Sequence, residues 1–195
     1  MMKRYFKLCI EILEKIDHKP IGKMIDKLDE VRKRKGRLFI LGVGGSAANA
    51  SHAVCDFRKL CGIEAYSFDN LAELTARTND DGWENCFKDW LIASRLNEKD
   101  MVLVFSVGGG KKGVSENIIE ALKYAKKKKA KITGIVGRDG GYTKKVADIC
   151  ILIPTVSEYL ITPYVEIMQS VLWHLLVFHP YLQIYQSKWE SIALK

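Results

Sequence analysis

The stretch LFILGVGGSAANASHAVCDF, residues 38–57, sets the expectations for the fold. An apolar run leads into a turn with three glycines, which a segment of small residues follows. This order predicts a buried strand, a tight turn and then a helix. Glycines at such a turn let the backbone approach a ligand, and the N-terminus of the next helix offers free N–H groups to an anion. A tight turn that binds nothing has the same pattern, so this stretch alone leaves both interpretations open.

The rest of the chain repeats the alternation of apolar strands and helices. This alternation predicts a parallel sheet covered on both faces, an α/β three-layer sandwich of about five strands. Ligands bind such sheets beyond the carboxyl ends of the strands. Strands are predicted at residues 37–41, 64–68, 101–106, 132–136 and 149–153, and helices at residues 47–61, 82–96, 115–128 and 163–178.

The N-terminal residues 3–34 have helical spacing. Pro20 and Gly22 are expected to divide this segment into two helices. One face of the first helix is predicted to be apolar, and it comprises Phe6, Cys9, Ile10, Leu13 and Ile16.

Length and charge favour a single domain without a nucleic-acid partner. The chain has 195 residues and a net charge of +8. Much of the excess lies in VRKRKGR, residues 31–37, and YAKKKKAK, residues 124–131, each just before a predicted strand. Basic residues at the end of a helix complement its dipole, and we prefer this explanation to an anionic partner.

The cysteine content and the hydropathy indicate a cytoplasmic protein. Five cysteines without a CxxC pair are typical of a reducing compartment. The N-terminus lacks a secretory apolar core. The apolar stretch at residues 159–182 is a poor membrane span because Pro163, Glu166, Gln169 and His174 interrupt it.

A second glycine turn, SVGGGKKGVSEN at residues 106–117, follows another apolar strand. Ser106 lies at the end of the strand, Lys111 and Lys112 follow the glycines, and Ser115 is a candidate helix N-cap. Two such loops at one sheet edge suit a compact phosphate group. The stretch is not a Walker loop, because its helix does not begin with Gly-Lys-Ser/Thr.

A dinucleotide fold is a weaker alternative. Gly42, Gly44 and Ala47 fit a loose GxGxxA pattern, which alone has little specificity. An acidic residue at the end of the second strand is needed for the ribose, and Asp69 is the one candidate.

Two pairs of titratable residues lie near these turns. His52 and Asp56 are four residues apart, so a helix presents them on one face, close to any ligand at the first turn. Glu166 and His174 are eight residues apart, or roughly 12 Å of helical rise, and reach one site only if their side chains converge. Their spacing alone therefore favours the interpretation that Glu166 and His174 do not share one site.

The motifs GVGGSAANASH, NDDG, SVGGG followed by SEN, VGRDGG and ADICILIP resemble, in order and spacing, the sugar isomerase (SIS) domain family and its phosphoheptose isomerases. The resemblance covers about residues 35–180. It implies a SIS domain of the flavodoxin-like nucleotide-binding type at residues 35–195. Residues 1–34 are expected to be a helical segment that packs on this domain or on a neighbouring subunit.

The resemblance implies an enzyme, an aldose–ketose isomerase that converts sedoheptulose 7-phosphate to D-glycero-D-manno-heptose 7-phosphate through an enediol, in bacterial heptose biosynthesis. It also implies a homotetramer with interfacial active sites and one Zn²⁺ at each. The implied metal ligands are His52, Asp56, Glu166 and His174, and the implied catalytic residues are Asp56, Glu166 and His174. The implied substrate-binding residues are Gly44, Gly45, Ser46, Asp80, Ser106, Gly108, Gly109, Lys111 and Ser115.

Several departures from the family pattern keep alternatives open. This chain has Val43 where the family has asparagine, Asp56 where it has glutamate and Glu166 where it has glutamine. Its second loop is about four residues longer than that of the family. Two histidines and two carboxylates still form a credible zinc set. The alternatives are an isomerase of another phosphosugar and a non-catalytic module that binds a sugar phosphate or a protein partner. The identity of the base, and a dimer against a tetramer, also stay open.

Overall fold

The fold is seen in a computed structural model that describes residues 1–193. Its centre is a five-stranded sheet with the strand order β2-β1-β3-β4-β5, in which every neighbouring pair is parallel. The predicted α/β fold with a parallel sheet is therefore confirmed. The strands are β1 (Arg37–Leu41), β2 (Glu64–Ser67), β3 (Met101–Ser106), β4 (Lys131–Val136) and β5 (Ile149–Leu152).

Helices cover both faces of this sheet. Side chains of a strand alternate between its two faces, so Leu38 and Ile40 join one core, and Phe39 and Leu41 join the other. The helices α1, α2, α3 and α8 pack on the first core, and α5 and α6 on the second. The helices are α1 (Met2–Lys15), α2 (Lys19–Lys33), α3 (Gly45–Lys59), α4 (Leu71–Asp81), α5 (Cys86–Ala93), α6 (Glu116–Lys127), α7 (Gly141–Val146), α8 (Ile161–Val177) and α9 (Lys188–Ala193).

Helix α1 packs through a face that overlaps only in part with the predicted one, because Cys9 and Ile16 pack on the core and the other three residues do not. Phe6, Ile10 and Leu13 are 65%, 56% and 44% exposed, whereas Ile12 is fully buried. The helix is apolar on two sides, so spacing alone could not identify the side that contacts the core. The predicted division of the segment is correct, although Pro20 lies in the first turn of α2, where its missing N–H costs nothing.

Helix α4 and the NDDG segment also differ from expectation. Residues 79–81 end a helix rather than introduce one, and the next helix begins at Cys86 instead of residue 82. No residue of α4 is fully buried, and Leu74 only packs against the edge of the second core. Its N-terminus is fixed by Asn70, whose side-chain oxygen accepts hydrogen bonds from the N–H groups of Ala72 and Glu73.

The described residues 1–193 include no helix with both the length and the apolar character needed to cross a bilayer.

Candidate active site

An open cleft of about 850 Å³ lies at the carboxyl ends of the strands. The glycine turns after β1 and β3 both border it, as expected for parallel strands that end at one sheet edge. The cleft contains six of the predicted site residues, Ser46, Ser106, Gly108, Lys111, Ser115 and Glu166.

Hydrogen bonds and a close contact with the loop after β4 fix the turn after β3. The Ser106 hydroxyl accepts a hydrogen bond from the Gly109 N–H at 3.0 Å, which leaves the hydroxyl proton free. The Gly109 carbonyl oxygen accepts hydrogen bonds from the N–H and the hydroxyl of Thr143 at 2.9 and 2.8 Å. A side chain at Gly109 would overlap the carbonyl oxygen of Gly140. Gly109 therefore allows two loops to approach closely.

The residues that lengthen this loop form a small hairpin. Lys111 and Val114 exchange both backbone hydrogen bonds at 2.9 Å, which places Lys111 in the cleft. Ser115 follows at the N-cap position of α6 with a left-handed backbone at φ 58°. The expected cap is missing, because the Ser115 hydroxyl bonds none of the helix N–H groups in the described structure. Ser115 instead lines the cleft.

The turn after β1 has a different arrangement. Gly44 has φ 62° and ψ −128°, a conformation open to glycine because it has no Cβ. The carboxylate of Glu166 packs over Gly45, where any side chain would overlap it. The Ser46 hydroxyl is buried and donates a hydrogen bond to Oε1 of Gln169 at 2.9 Å. The turn is thus packed against α8.

Three of the four candidate metal ligands lie together. One potential ligand atom from each of His52, Asp56 and His174 lies within 4.8 Å of the other two. The Nε2 atom of His52 is 3.9 Å from Oδ2 of Asp56. Glu166 lies outside this His52/Asp56/His174 cluster and borders the cleft.

The chemistry of the cluster fits a zinc ion. Nδ1 of His174 lies 2.8 Å from the carbonyl oxygen of Ser170. A carbonyl oxygen only accepts, so Nδ1 carries the proton and Nε2 is left bare for a metal. Zinc-binding histidines commonly use the second nitrogen in this way. Two imidazoles and a carboxylate also match catalytic zinc sites, which keep a coordination position open.

Asp80 and Asp69 lie apart from the cleft. Asp80 is exposed in the last turn of α4 and accepts a hydrogen bond from the Asn79 side chain at 2.8 Å. Asp69 borders a second cavity of about 280 Å³ beside β2. Its Oδ2 atom accepts hydrogen bonds from the hydroxyls of Ser51 and Ser67, each at 3.0 Å. This oxygen is therefore engaged by protein groups and not free for a ribose.

Sequence reasoning missed several polar residues of the cleft. Arg138 follows β4 in the GRDGG turn, which was recognised without a role for its arginine. Gln169 was noticed as a polar residue in an apolar stretch, but its partner Ser46 could not be identified because it is distant in the chain. The missed residues of the cleft include Arg138, Asp139, Thr155, Glu158 and Thr162.

The parallel sheet, the two glycine turns at its carboxyl edge and the histidine–carboxylate cluster on α3 and α8 define an α/β domain suited to phosphorylated ligands. The model of the SIS domain family matches residues 4–137. The chain belongs to the SIS domain family, and within it to the phosphoheptose isomerases.

The curated relatives agree with this grouping. The phosphoheptose isomerase of Nitratiruptor sp. is 33% identical over 154 residues, which cover 75% of this chain and 77% of the relative. That of Helicobacter pylori strain 26695 is 30% identical over 187 residues, which cover 90% of this chain and 92% of the relative. The solved phosphoheptose isomerase of Neisseria gonorrhoeae has the same fold, with a TM-score of 0.79, 24% identity, and coverage of 90% of this chain and 94% of that one.

Proposed function

We propose that the chain is an aldose–ketose isomerase that interconverts sedoheptulose 7-phosphate and D-glycero-D-manno-heptose 7-phosphate through an enediol. One observation carries this proposal: helices α3 and α8 contribute both to the cleft and to the candidate metal site. Ser46 of α3 and Glu166 of α8 line the cleft, and the same two helices carry the His52/Asp56/His174 cluster. The relatives of 30–33% identity are phosphoheptose isomerases. The substrate assignment to bacterial heptose biosynthesis follows from that similarity.

The phosphate is bound, on this proposal, at the turn after β3. Ser106 and Ser115 both line the cleft, and the Ser106 hydroxyl, which accepts from the Gly109 N–H, keeps its proton free. The N-terminus of α6 adds the partial positive charge of a helix dipole. Lys111 contributes a full positive charge, and charge-assisted hydrogen bonds to phosphate are roughly twice as strong as neutral ones. Lys111 thereby compensates for hydroxyl groups that the altered loop lacks.

The proton transfer is assigned to one of two carboxylates, Asp56 or Glu166. Isomerisation needs a base that removes a proton from the carbon next to the carbonyl group. Asp56 belongs to the proposed metal cluster, and a metal-bound carboxylate is a weak base. Glu166 stands outside that cluster with its carboxylate over Gly45, at the edge of the cleft. A glutamine, which the family pattern has at this position, cannot act as a base, whereas Asp56 stands where that pattern has a carboxylate. Asp56 and Glu166 are therefore both candidates for the base.

His52, Asp56 and His174 would together hold one zinc ion at each active site. When bound, the metal supplies a Lewis acid that polarises the substrate carbonyl group. His174 is also the candidate acid–base partner that moves a proton between the two substrate oxygens. A nitrogen that ligates a metal cannot transfer a proton at the same time, so the two roles of Nε2 are mutually exclusive.

The deciding experiment is an assay of sedoheptulose 7-phosphate turnover by the purified protein. Activity is measured as purified, after chelation, and after Zn²⁺ is restored. We expect metal-dependent formation of the aldose and loss of activity in His174→Ala. Of the two variants Asp56→Asn and Glu166→Gln, the one that removes the base should lower kcat at least about a hundredfold. Binding of the sugar phosphate without turnover would instead favour a non-catalytic module.

A second candidate is the isomerisation of a different phosphosugar. Arg138 and Glu158 bring charged side chains to the cleft. The same assay with pentose and hexose phosphates distinguishes this candidate, because the preferred sugar gives the highest kcat/KM.

We propose a homo-oligomer, specifically a tetramer, in the cytoplasm. The exposed side of α1 carries Phe6 and Ile10, and α8 exposes Val171 and Leu175 at 42% and 47%. The two helices are neighbours, since the rings of Tyr5 and Tyr164 lie 4.9 Å apart. Such an apolar surface is typical of a subunit interface. The five free cysteines are compatible with a reducing compartment.

A further inference from the structure

Trp173 on α8 is fully buried beside both histidines of the proposed zinc site. Its ring stacks on that of His174, with the centroids 3.4 Å apart and the planes at 27°. The same ring meets the His52 ring edge to face, with the centroids 4.7 Å apart and the planes at 65°. These distances are typical of interacting aromatic rings. The indole therefore contacts two candidate metal ligands, one from α3 and one from α8.

Two hydrogen bonds fix the position of the indole between these helices. Its Nε1–H donates to Oδ1 of Asn49 on α3 at 3.5 Å. The Asn49 side-chain nitrogen donates in turn to the backbone carbonyl of Glu166 at 2.9 Å. The orientation of the Asn49 amide is thereby determined, because a carbonyl oxygen only accepts and an indole nitrogen only donates. The indole of α8 is thus hydrogen-bonded to α3, three residues before His52.

The indole and a backbone carbonyl together restrict the His174 ring. Nδ1 of His174 lies 2.8 Å from the carbonyl oxygen of Ser170, which fixes one direction within the plane of the ring. The indole face restricts the tilt of that plane, because the two rings are stacked. The ring therefore has little freedom to turn its other nitrogen away from the cluster.

His52 depends on the indole in a different way. Its side chain is 62% exposed, and its Nε2 atom lies 3.9 Å from Oδ2 of Asp56, which is too far for a hydrogen bond. The buried edge-to-face contact with Trp173 thus restricts a ring that is otherwise largely in solvent.

We propose that Trp173 is a positioning residue of the zinc site, whose indole holds the imidazoles of His52 and His174 in the arrangement that binds the metal. Groups that orient metal ligands in this way commonly contribute ten- to a hundredfold to metal affinity. The inference rests on the proposed function, because it takes the cluster to be a zinc site. It deepens that function by assigning a role to a side chain that offers no ligand atom itself.

The first test measures the Zn²⁺ affinity of the metal-free protein by competition with a chromophoric chelator. Trp173→Phe keeps an aromatic face beside His174, whereas Trp173→Leu keeps only apolar volume. We expect the leucine variant to bind Zn²⁺ at least about tenfold more weakly than the wild-type protein, and the phenylalanine variant to recover most of that loss.

Trp90→Leu is the matched control. Trp90 is 8% exposed in the core on the opposite face of the sheet, where its ring stacks on that of Phe68 at 5.1 Å. Loss of this indole should lower the melting temperature and leave the Zn²⁺ affinity unchanged. If Trp173→Leu also lowers only the melting temperature, Trp173 merely fills the core and the proposal is overturned.

A second test needs no metal. An indole face shifts the NMR signals of protons on a ring stacked against it upfield. The ring protons of His174 should therefore show an upfield shift in the metal-free wild-type protein, and Trp173→Leu should remove it. The chain has four histidines, so isotope labelling of histidine alone resolves their signals. An ordinary shift for His174 in the wild-type protein would contradict the stacked arrangement.

These measurements separate failure of this inference from failure of the proposed function. If the wild-type protein binds zinc but does not turn over sedoheptulose 7-phosphate, the isomerase assignment fails, and the affinities still test the role of Trp173. If the wild-type protein binds no zinc, the metal site and the role of Trp173 in it are both wrong. If Trp173→Leu does not fold, Trp173→Met replaces it, because the flexible side chain of methionine adapts to an irregular space.

Discussion

The imidazole rings of His52 and His174 lie 5.6 Å apart and nearly perpendicular, at 88°. They come from α3 and α8, two helices that are separated in the sequence by four of the five strands. His174 already has its Nδ1 engaged by the Ser170 carbonyl, and Asp56 lies one turn from His52 on the same helix face. The packing of α3 beside α8 therefore brings these groups together.

Replacing either histidine of this pair by alanine should abolish tight zinc binding. Removal of one ligand from a site with three protein ligands is expected to weaken Zn²⁺ affinity by at least about a hundredfold. The measurement is a competition titration of the metal-free protein with a chromophoric chelator. The matched control is His18→Ala, at an exposed position outside the cluster, which should bind zinc as the wild-type protein does. Unchanged affinity in both His52→Ala and His174→Ala would rule out this site.

The sheet could be predicted because burial on both faces leaves a clear signal. All six residues of β3 are buried, and the sequence MVLVFS is correspondingly a continuous apolar run. The glycine turn after β1 could be located for a related reason, since only glycine allows the backbone of Gly44 and the close approach of Glu166 to Gly45.

Contacts between distant segments could not be predicted from spacing. Glu166 and His174 lie two turns apart on α8, and their different surroundings depend on how α3 packs beside that helix. The link between Ser46 and Gln169 joins residues that no local pattern relates. Helix α4 was missed because none of its residues is fully buried, so its sequence carries little signal of burial.

Lys111→Ala should weaken substrate binding much more than Lys112→Ala. The hairpin in the loop places Lys111 in the cleft, while Lys112 is exposed outside it. Loss of a charge-assisted phosphate contact is expected to raise KM about tenfold or more, with the difference shrinking at high salt. Steady-state kinetics at two ionic strengths provide the measurement. Equal effects of the two substitutions would show that Lys111 has no specific contact with the phosphate.

Asp29→Asn should destabilise the protein at neutral pH. The buried Asp29 carboxylate pairs with Lys33 and Arg32, and Arg32 donates to the Leu182 carbonyl oxygen at 2.6 Å. The hydrogen bond from Lys33, followed by that from Arg32, lowers the pKa of Asp29. Loss of hydrogen bonds to a charged group is expected to cost about 1–3 kcal/mol of unfolding free energy.

The pH dependence of this effect follows from the sign of the shift. A carboxyl group with a lower pKa in the folded state stabilises the fold above its unfolded pKa of about 3.9, and this contribution is lost as the pH falls through the folded value. The stability difference between Asp29→Asn and wild type should therefore shrink below about pH 4. Urea unfolding between pH 7 and 3 tests this, with the exposed Asp26→Asn as control. A difference that stays constant over this range would contradict the role of the ionised carboxylate.

Alkylation should distinguish the cysteines by burial. Burial raises the pKa of Cys61 to about 12 and that of Cys150 to about 11, whereas Cys55 is exposed. Because the thiolate is the reactive form, iodoacetamide at pH 8 should modify Cys55 first and leave Cys61 and Cys150 protected. Peptide mass spectrometry of the native protein measures the order, and urea-unfolded protein, in which all cysteines should react, is the control. Early modification of Cys61 would contradict its buried position.

Leu175→Glu and Ile10→Glu should reduce the molecular mass of the protein in solution. Both side chains are exposed apolar groups on neighbouring helices of one sheet face, at 47% and 56% exposure, and a glutamate in a subunit interface buries an unpaired charge. We expect light scattering coupled to gel filtration to show a tetramer for the wild-type protein and smaller species for the variants. The control is Leu71→Glu, at a 71% exposed position on α4, which should keep the wild-type mass. If Leu175→Glu and Ile10→Glu also keep that mass, the α1 and α8 surface is not the interface, and another face must join the subunits.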